Sequence, residues 1–184
     1  VDASTMLEIA DRADVGAGTI YNYFKSKDDL AVAVLEEMMQ DLAMRIERVT
    51  NTFEDPAQVY AFGIANVLEA ATQDIRWKQL LNRSEVIADA MFRRMGPFAI
   101  RDLRQATAAG RFAVEDPELV WKLACHAIVG VSLAITRGEL PEAKIHGTVV
   151  HLLCMAGLEA TAAGELAARP RPGLAPESWE DEAP

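Results

Sequence analysis

Leu30, Val34, Met38, Leu42, Ile46 and Val49 recur at intervals of three and four, while Glu36, Glu37, Asp41, Arg45 and Arg48 fall mostly between them. A stripe of this kind fits one face of an α-helix and no face of a strand. Similar spacing runs through most of the 184 residues without sustained alternation of period two, so the expected fold class is all-α. The stretch 26–50 predicts one helix roughly 37 Å long, enough to link two layers of a domain. With 51% hydrophobic residues, the chain can bury a core without a disulfide or a structural metal. No cofactor is implied.

Punctuation along the chain divides it further. Thr5-Met-Leu-Glu8 is a capping box that opens a first helix ending near Arg12 to Ala13. Gly16 and Gly18 bracket a turn, a helix of about two turns follows over 19–24, and Ser26-Lys-Asp-Asp29 caps the long one. Glu54-Asp55-Pro56 stops that helix and starts another over 57–73; helices over 77–87 and 90–109 come next, with Gly110 as a C-terminal cap. Asp116-Pro117 reads as an N-cap followed by an N1 proline. The helix it opens has no formal charge between Leu123 and Ile135, and a second apolar helix is expected over 143–163. From 164 to 184 the composition turns to Pro, Ala and acid, the pattern of a disordered tail.

The two apolar helices need a partner surface. A membrane is a poor one, because a span takes about 20 apolar residues and His126, Ser132, Lys122 and Arg137 shorten this run. Cys125 and Cys154 lie in apolar surroundings, which suits a reducing cytoplasm. Their neighbours His126 and His151 raise a metal or thiol-switch reading, but buried inert thiols and hydrogen-bonded histidines are the expectation. Against 18 basic residues stand 28 acidic ones, a net charge of −10, so a protein that coats nucleic acid non-specifically is excluded. Val1 stands where an initiator Met would be, so further sequence is expected upstream.

Two short helices joined by a Gly-containing turn have the layout of a helix-turn-helix, which ordinary helical hairpins share. The residues themselves are more specific. Thr5-x3-Ile9-Ala-x2-Ala13-x-Val15-x2-Gly18-Thr19-Ile20-Tyr21-x-Tyr23-Phe24-x-Ser26-Lys27-x2-Leu30 resembles the DNA-binding segment of TetR-family transcriptional repressors, whose pattern is close to T-x3-IA-x2-AGVS-x-GTLY-x-HF-x-SK-x2-L. Three departures stand out. Asp14 replaces the usual Gly and Gly16 the usual Ser, so an altered turn and a lost N-cap hydroxyl are expected. Tyr23 replaces the common His and keeps an aromatic hydrogen-bonder. The Arg- and Lys-bearing helix that normally precedes Thr5 is not in this sequence.

The resemblance implies a homodimer with a helix-turn-helix DNA-binding domain and connecting helix over 1–50, and a ligand-binding and dimerisation domain over 51–163. It places Thr5, Thr19, Tyr21, Asn22, Tyr23 and Lys27 at a double-stranded DNA operator, and helix-terminal amides and charge add Gly18 and Lys25. Chemistry agrees with those roles. Free amides at a helix N-terminus suit phosphate at Thr5, Gly18 and Thr19. Asn22 can read adenine, Tyr21 and Tyr23 offer hydroxyls and ring faces, and Lys25 and Lys27 are cationic phosphate contacts. Ile9, Ala10, Ala13, Ile20, Phe24 and Leu30 are expected to hold this small domain together.

For the remainder, the resemblance implies an apolar pocket for a small-molecule effector. Phe62, Asn66, Trp77, Leu81, Met91, Phe92, Met95 and Phe98 are the candidate lining, although for each taken singly plain core packing is the favoured reading. The two apolar helices resemble the family's dimerisation pair, with Leu123, Ile128, Val131, Ile135, Val149, Leu152, Leu153 and Leu158 at the interface. Enzyme motifs such as a P-loop, Gly-x-Gly-x-x-Gly, His-Glu-x-x-His or Gly-x-Ser-x-Gly are missing from the sequence. The expected function is therefore a ligand-responsive regulator, most simply a repressor, that binds a palindromic operator. The alternative is a helical protein-binding adaptor that does not bind DNA.

Overall fold

The computed structural model describes residues 5–78 and 83–176. Among them the chain forms helices only: α1 (Met6–Arg12), α2 (Ala17–Tyr23), α3 (Lys27–Thr50), α4 (Pro56–Gln73), α5 (Ile75–Lys78), α6 (Ser84–Ala108), α7 (Pro117–Thr136), α8 (Lys144–Met155) and α9 (Ala160–Ala167). Many ends are set by the expected residues. Thr5 Oγ1 accepts from the Glu8 amide at 3.2 Å, and the Glu8 carboxylate accepts from the Thr5 amide at 2.6 Å. Ser26, Asp55 and Asp116 cap α3, α4 and α7 with their side chains, and Gly110 takes a left-handed φ of 68° after α6.

Two hydrophobic clusters result. Met6, Ala10 and Ile20 form a small one between α1 and α2, with Ile9, Phe24 and Leu30 packed on it. Ala13, expected in that core, is exposed. The large cluster is centred on α4, which touches α3, α6, α7, α8 and α9, while α6 lies along α7 and against α3. Because α4 and α6 both cover α3, its buried arc is wider than the stripe read from sequence. Leu35, Met39 and Ala43 join Met38, Leu42 and Ile46, and Val34 is exposed.

Three boundaries differ from expectation. The helices read over 77–87 and 90–109 are not separate, since Ile87 and Ala90 lie in one continuous α6 and Trp77 belongs to α5. Asp89, read as a polar break, simply faces outward and pairs with Lys122 of α7. The helix over 143–163 divides at Gly157, whose φ is 94°. A Cβ there would stand 2.8 Å from the Cβ of Ala113 and 2.9 Å from its amide nitrogen, so the break is fixed by the loop before α7.

The stretch from 164 is also not a tail as far as Pro176. It completes α9 and then runs over α3 and α4. Arg169 donates to Asp55 at 2.8 Å and to Gln58 at 3.0 Å, and Arg45 donates to the Ala175 carbonyl at 2.8 Å. Composition misled here because the arginines that anchor the segment, Arg169 and Arg171, find their acids at the α4 cap (Asp55) and on α4 (Glu69), far away in sequence. The expected disorder over 177–184 lies outside the described residues.

Candidate DNA-binding surface and effector cavity

The turn between α1 and α2 accommodates both of its unusual residues. Asp14 adopts a left-handed φ of 51°, a conformation Asp tolerates better than most residues, and the Val15 amide closes the turn onto the Ala10 carbonyl at 3.0 Å. The turn is therefore kept with Asp where the family pattern has Gly. Gly16 caps α2 with no side-chain bond, so the N-cap hydroxyl is indeed lost. Gly18, Thr19, Tyr21, Asn22, Tyr23 and Lys25 are all exposed on this helix and its C-terminal edge, and Lys27 is half-buried at the start of α3. Thr5 is exposed too, but its amide is engaged by Glu8, so a phosphate there would compete with that carboxylate.

Three acids of this part of the chain are paired with α6 or its N-cap Arg83. Residues 1–51 carry 10 acidic and 5 basic groups. Of those acids on α3, Asp28 pairs with Arg83, Glu36 with Arg93 and Arg94 at 2.7 and 2.8 Å, and Glu47 with Arg101 at 2.7 Å. Burial pushes the Glu36 carboxyl up, but the hydrogen bonds from Arg94 and Arg93 reverse this and hold it below its ordinary value.

A cavity of about 30 Å³ opens between α3, α4, α6 and α7. Ala43, Ile46 and Glu47 come from α3; Tyr60, Gly63, Ile64 and Val67 from α4; Met95, Phe98, Ala99 and Asp102 from α6; Trp121 from α7. Its walls are apolar with four polar exceptions, Glu47, Tyr60, Asp102 and Trp121. The Tyr60 hydroxyl and the Trp121 indole N–H are buried and have no hydrogen-bond partner among the described residues. Asp102 is 7% exposed, and its Oδ1 accepts from Arg101 at 2.7 and 3.0 Å. Arg101 also grips both carboxylate oxygens of Glu47, at 2.8 and 2.7 Å. Burial pushes the Asp102 carboxyl above its ordinary value despite Arg101, and burial likewise pushes the Tyr60 hydroxyl up.

Residues 1–34 match the family described as bacterial regulatory proteins, tetR family, and residues 55–169 match the tetracyclin repressor-like C-terminal domain. The chain belongs to the TetR family. It is 32% identical over 89 residues to the HTH-type transcriptional repressor KstR of Mycobacterium tuberculosis, a match covering 48% of this chain and 40% of that one. The KstR of Mycolicibacterium smegmatis is 30% identical over the same length. Among solved structures, RolR without ligand superposes with a TM-score of 0.83 at 28% identity, over 95% of this chain and 91% of RolR. RolR is also solved in complex with resorcinol, at the same TM-score and identity.

In this TetR-family chain the expected pocket lining is divided among several places. Met95 and Phe98 line the cavity. Trp77 and Met91 are core, and Phe62 is buried towards the segment 169–171. The Asn66 amide donates back to the Phe62 backbone carbonyl at 2.8 Å, and Phe92 lies beneath the Lys122 ammonium at 5.1 Å. Leu81 lies outside the described residues. Sequence reasoning missed Tyr60, Asp102 and Trp121. Spacing put Tyr60 on one face with Ile64 and Val67, and Asp102 among Phe98, Ala99, Leu103 and Ala106, but without the fold neither marks a cavity, and no pattern singled out Trp121.

The expected dimer surface needs a similar correction. Ile128, Val149, Leu152 and Leu153 are buried within the protomer, so they cannot present themselves to a second chain. Leu123 is exposed, and Val131, Ile135 and Leu158 are half-buried. Leu119, His126 and Gly130 join Leu123 on the outward face of α7. By length and mean hydropathy, 1.7, α7 could cross a membrane, yet its inner face carries the buried Trp121, Ala124, Cys125 and Ile128. Cys125 is buried, where its thiol is pushed up, and Cys154 is half-buried; His126 and His151 are exposed.

Proposed function

We propose that the protein is a ligand-responsive transcriptional repressor of the cytoplasm that binds a palindromic operator as a homodimer and is released by a small molecule in the α3–α4–α6–α7 cavity. The observation that carries the reading is the face of α2. Tyr21 is 50% and Tyr23 78% exposed, and large aromatics left in solvent beside Thr19 and Asn22 suit a partner that supplies phosphates and base edges. The match of residues 1–34 to tetR-family regulators supports the same conclusion. Two copies joined through the outward faces of α7 and α8 would present two such helices to successive major grooves.

The cavity supplies the switch. At about 30 Å³ it has room for one or two waters and none for a ring, so an effector enters by moving α3 or α6. Pro97 makes α6 the compliant wall, because it has no amide to bond the carbonyl four residues back. Displacement of α3 reaches α2 directly, as only residues 24–26 separate them. The effector acts through its higher affinity for the displaced state. RolR with its bound resorcinol supports a small-molecule effector for this chain.

Mobility-shift titration with the DNA upstream of the protein's own gene tests the proposal. Tyr21→Ala and Lys27→Ala should each weaken binding ~5–100-fold, and Lys27→Ala should also lower the salt slope by about 1. Unchanged binding by Tyr21→Ala overturns the assignment of α2. A stable protein partner with no DNA shift at low salt would favour the adaptor.

A further inference from the structure

We infer that the cavity is built for a small, uncharged aromatic molecule carrying a hydroxyl group, with the Trp121 N–H, the Tyr60 hydroxyl and the Asp102 carboxylate as its recognition groups. The inference rests on the ligand-responsive reading and deepens it.

Tyr60 and Trp121 are each 1% exposed, and neither polar atom has a partner among the described residues. An orphaned buried polar atom carries a desolvation cost, and both residues that bear one here line the same cavity. An indole N–H donates only, so the occupant must bring an acceptor. Asp102 as a carboxylate accepts only, so the occupant must also bring a donor. A hydroxyl is both. An ammonium group lacks the acceptor, and a carboxylate lacks the donor and would face Asp102 and Glu47.

Size and shape follow from the walls. Ala43, Gly63 and Ala99 leave the centre free of long side chains, and the flanking Met95 thioether and Phe98 ring offer soft surfaces to a flat ring. Gly96 lets the indole approach α6, since a Cβ at that position would sit 3.4 Å from Trp121 Nε1.

Calorimetric titration of the whole chain with resorcinol, phenol, 1,3-dimethoxybenzene, toluene and benzoate tests this. Resorcinol or phenol should bind at least ~10-fold more tightly than the dimethyl ether or toluene, and benzoate should not bind. Tyr60→Phe and Trp121→Phe should each weaken the hydroxylated ligand ~5–10-fold while the melting temperature stays the same or rises, because each change removes an orphan. A purely structural role would instead lower the melting temperature. Equal affinity for resorcinol and its dimethyl ether, or no binding of either phenol, overturns the inference. The mobility shift of the protein without added ligand is read separately. A protein that shifts operator DNA but ignores phenols remains a regulator with a different effector, whereas one that binds phenols and shifts no DNA retains the ligand class and loses the regulator.

Discussion

In α2, Tyr21 and Tyr23 hold their side chains out in solvent; in α4, Tyr60 holds its hydroxyl at the centre of the helical body with no partner among the described residues. The same chemistry is thus placed in two opposite ways. On the small α1–α2 unit, function lies in side chains next to one another in sequence and fixed by one turn. In the body it is assembled from α3, α4, α6 and α7, from residues as far apart as Ala43 and Trp121. The two regions also differ in reserve. Three buried residues hold the first, while the second has a core running from Leu35 to Leu166.

The largest effect should come from attacking that difference in reserve. Ile20→Ala removes one of three buried side chains at a cost of about 2–4 kcal/mol. The unit has little else to lean on. We expect DNA binding to be lost and amides of α1 and α2 to exchange freely, while calorimetric ligand binding persists. Concerted loss of protection across α4, α6 and α7 would mean that the two regions fold as one.

That contrast also decides what could be read in advance. The Thr5 capping box, the turn and the exposed row on α2 involve partners at most a few residues apart, so a linear pattern contains them. The cavity does not have this property. Met95 and Phe98 were reachable as apolar residues one turn apart, but Tyr60, Asp102 and Trp121 acquire meaning only when folding leaves two of them unbonded and the third desolvated. Helix boundaries failed for a related reason. Asp89 reads as a break until Lys122 is beside it, and nothing near Gly157 in sequence announces that Ala113 will fill the space where a Cβ would go.

Gly157→Ala gives the next effect in size, confined to the body. Its φ of 94° strains any side chain, and the Cβ would meet the Ala113 backbone at 2.9 Å. A loss of about 2–3 kcal/mol in unfolding free energy is expected from denaturant titration. If Gly157→Ala melted like the parent, the 110–116 loop would not be the fixed wall that divides α8 from α9.

Between the regions, α3 is the only long element among the described residues that joins them, and Glu36 ties it to Arg93 and Arg94. Glu36→Gln should reduce the effect of ligand on operator affinity about 5-fold, a coupling loss near 1 kcal/mol, with ligand affinity itself little changed. An unaltered coupling factor would assign transmission to the other ties of α3, Arg101–Glu47 and Arg83–Asp28.

The smallest effect tests whether the body is tied down locally by its own charges. Asp55 caps α4 through the Ala57 amide at 3.1 Å and accepts from Arg111 and Arg169. Burial pushes its carboxyl up, but the bonds from Arg111 and Arg169 outweigh burial and hold it below its ordinary value. A carboxyl depressed in the folded state stabilises above its unfolded pKa, and that contribution disappears as pH falls through the folded one. Asp55→Asn keeps a capping oxygen and loses the charge, so it should cost roughly 0.5–1 kcal/mol at pH 7, a difference that shrinks below about pH 4. Hydrogen exchange should report the loss in α4 and the segment 168–176 and leave α1 and α2 untouched. Exchange rising equally in α2 would join the charges of the body to the stability of the DNA-binding face, and the separation drawn between the two tyrosine environments would then be one of position and not of energy.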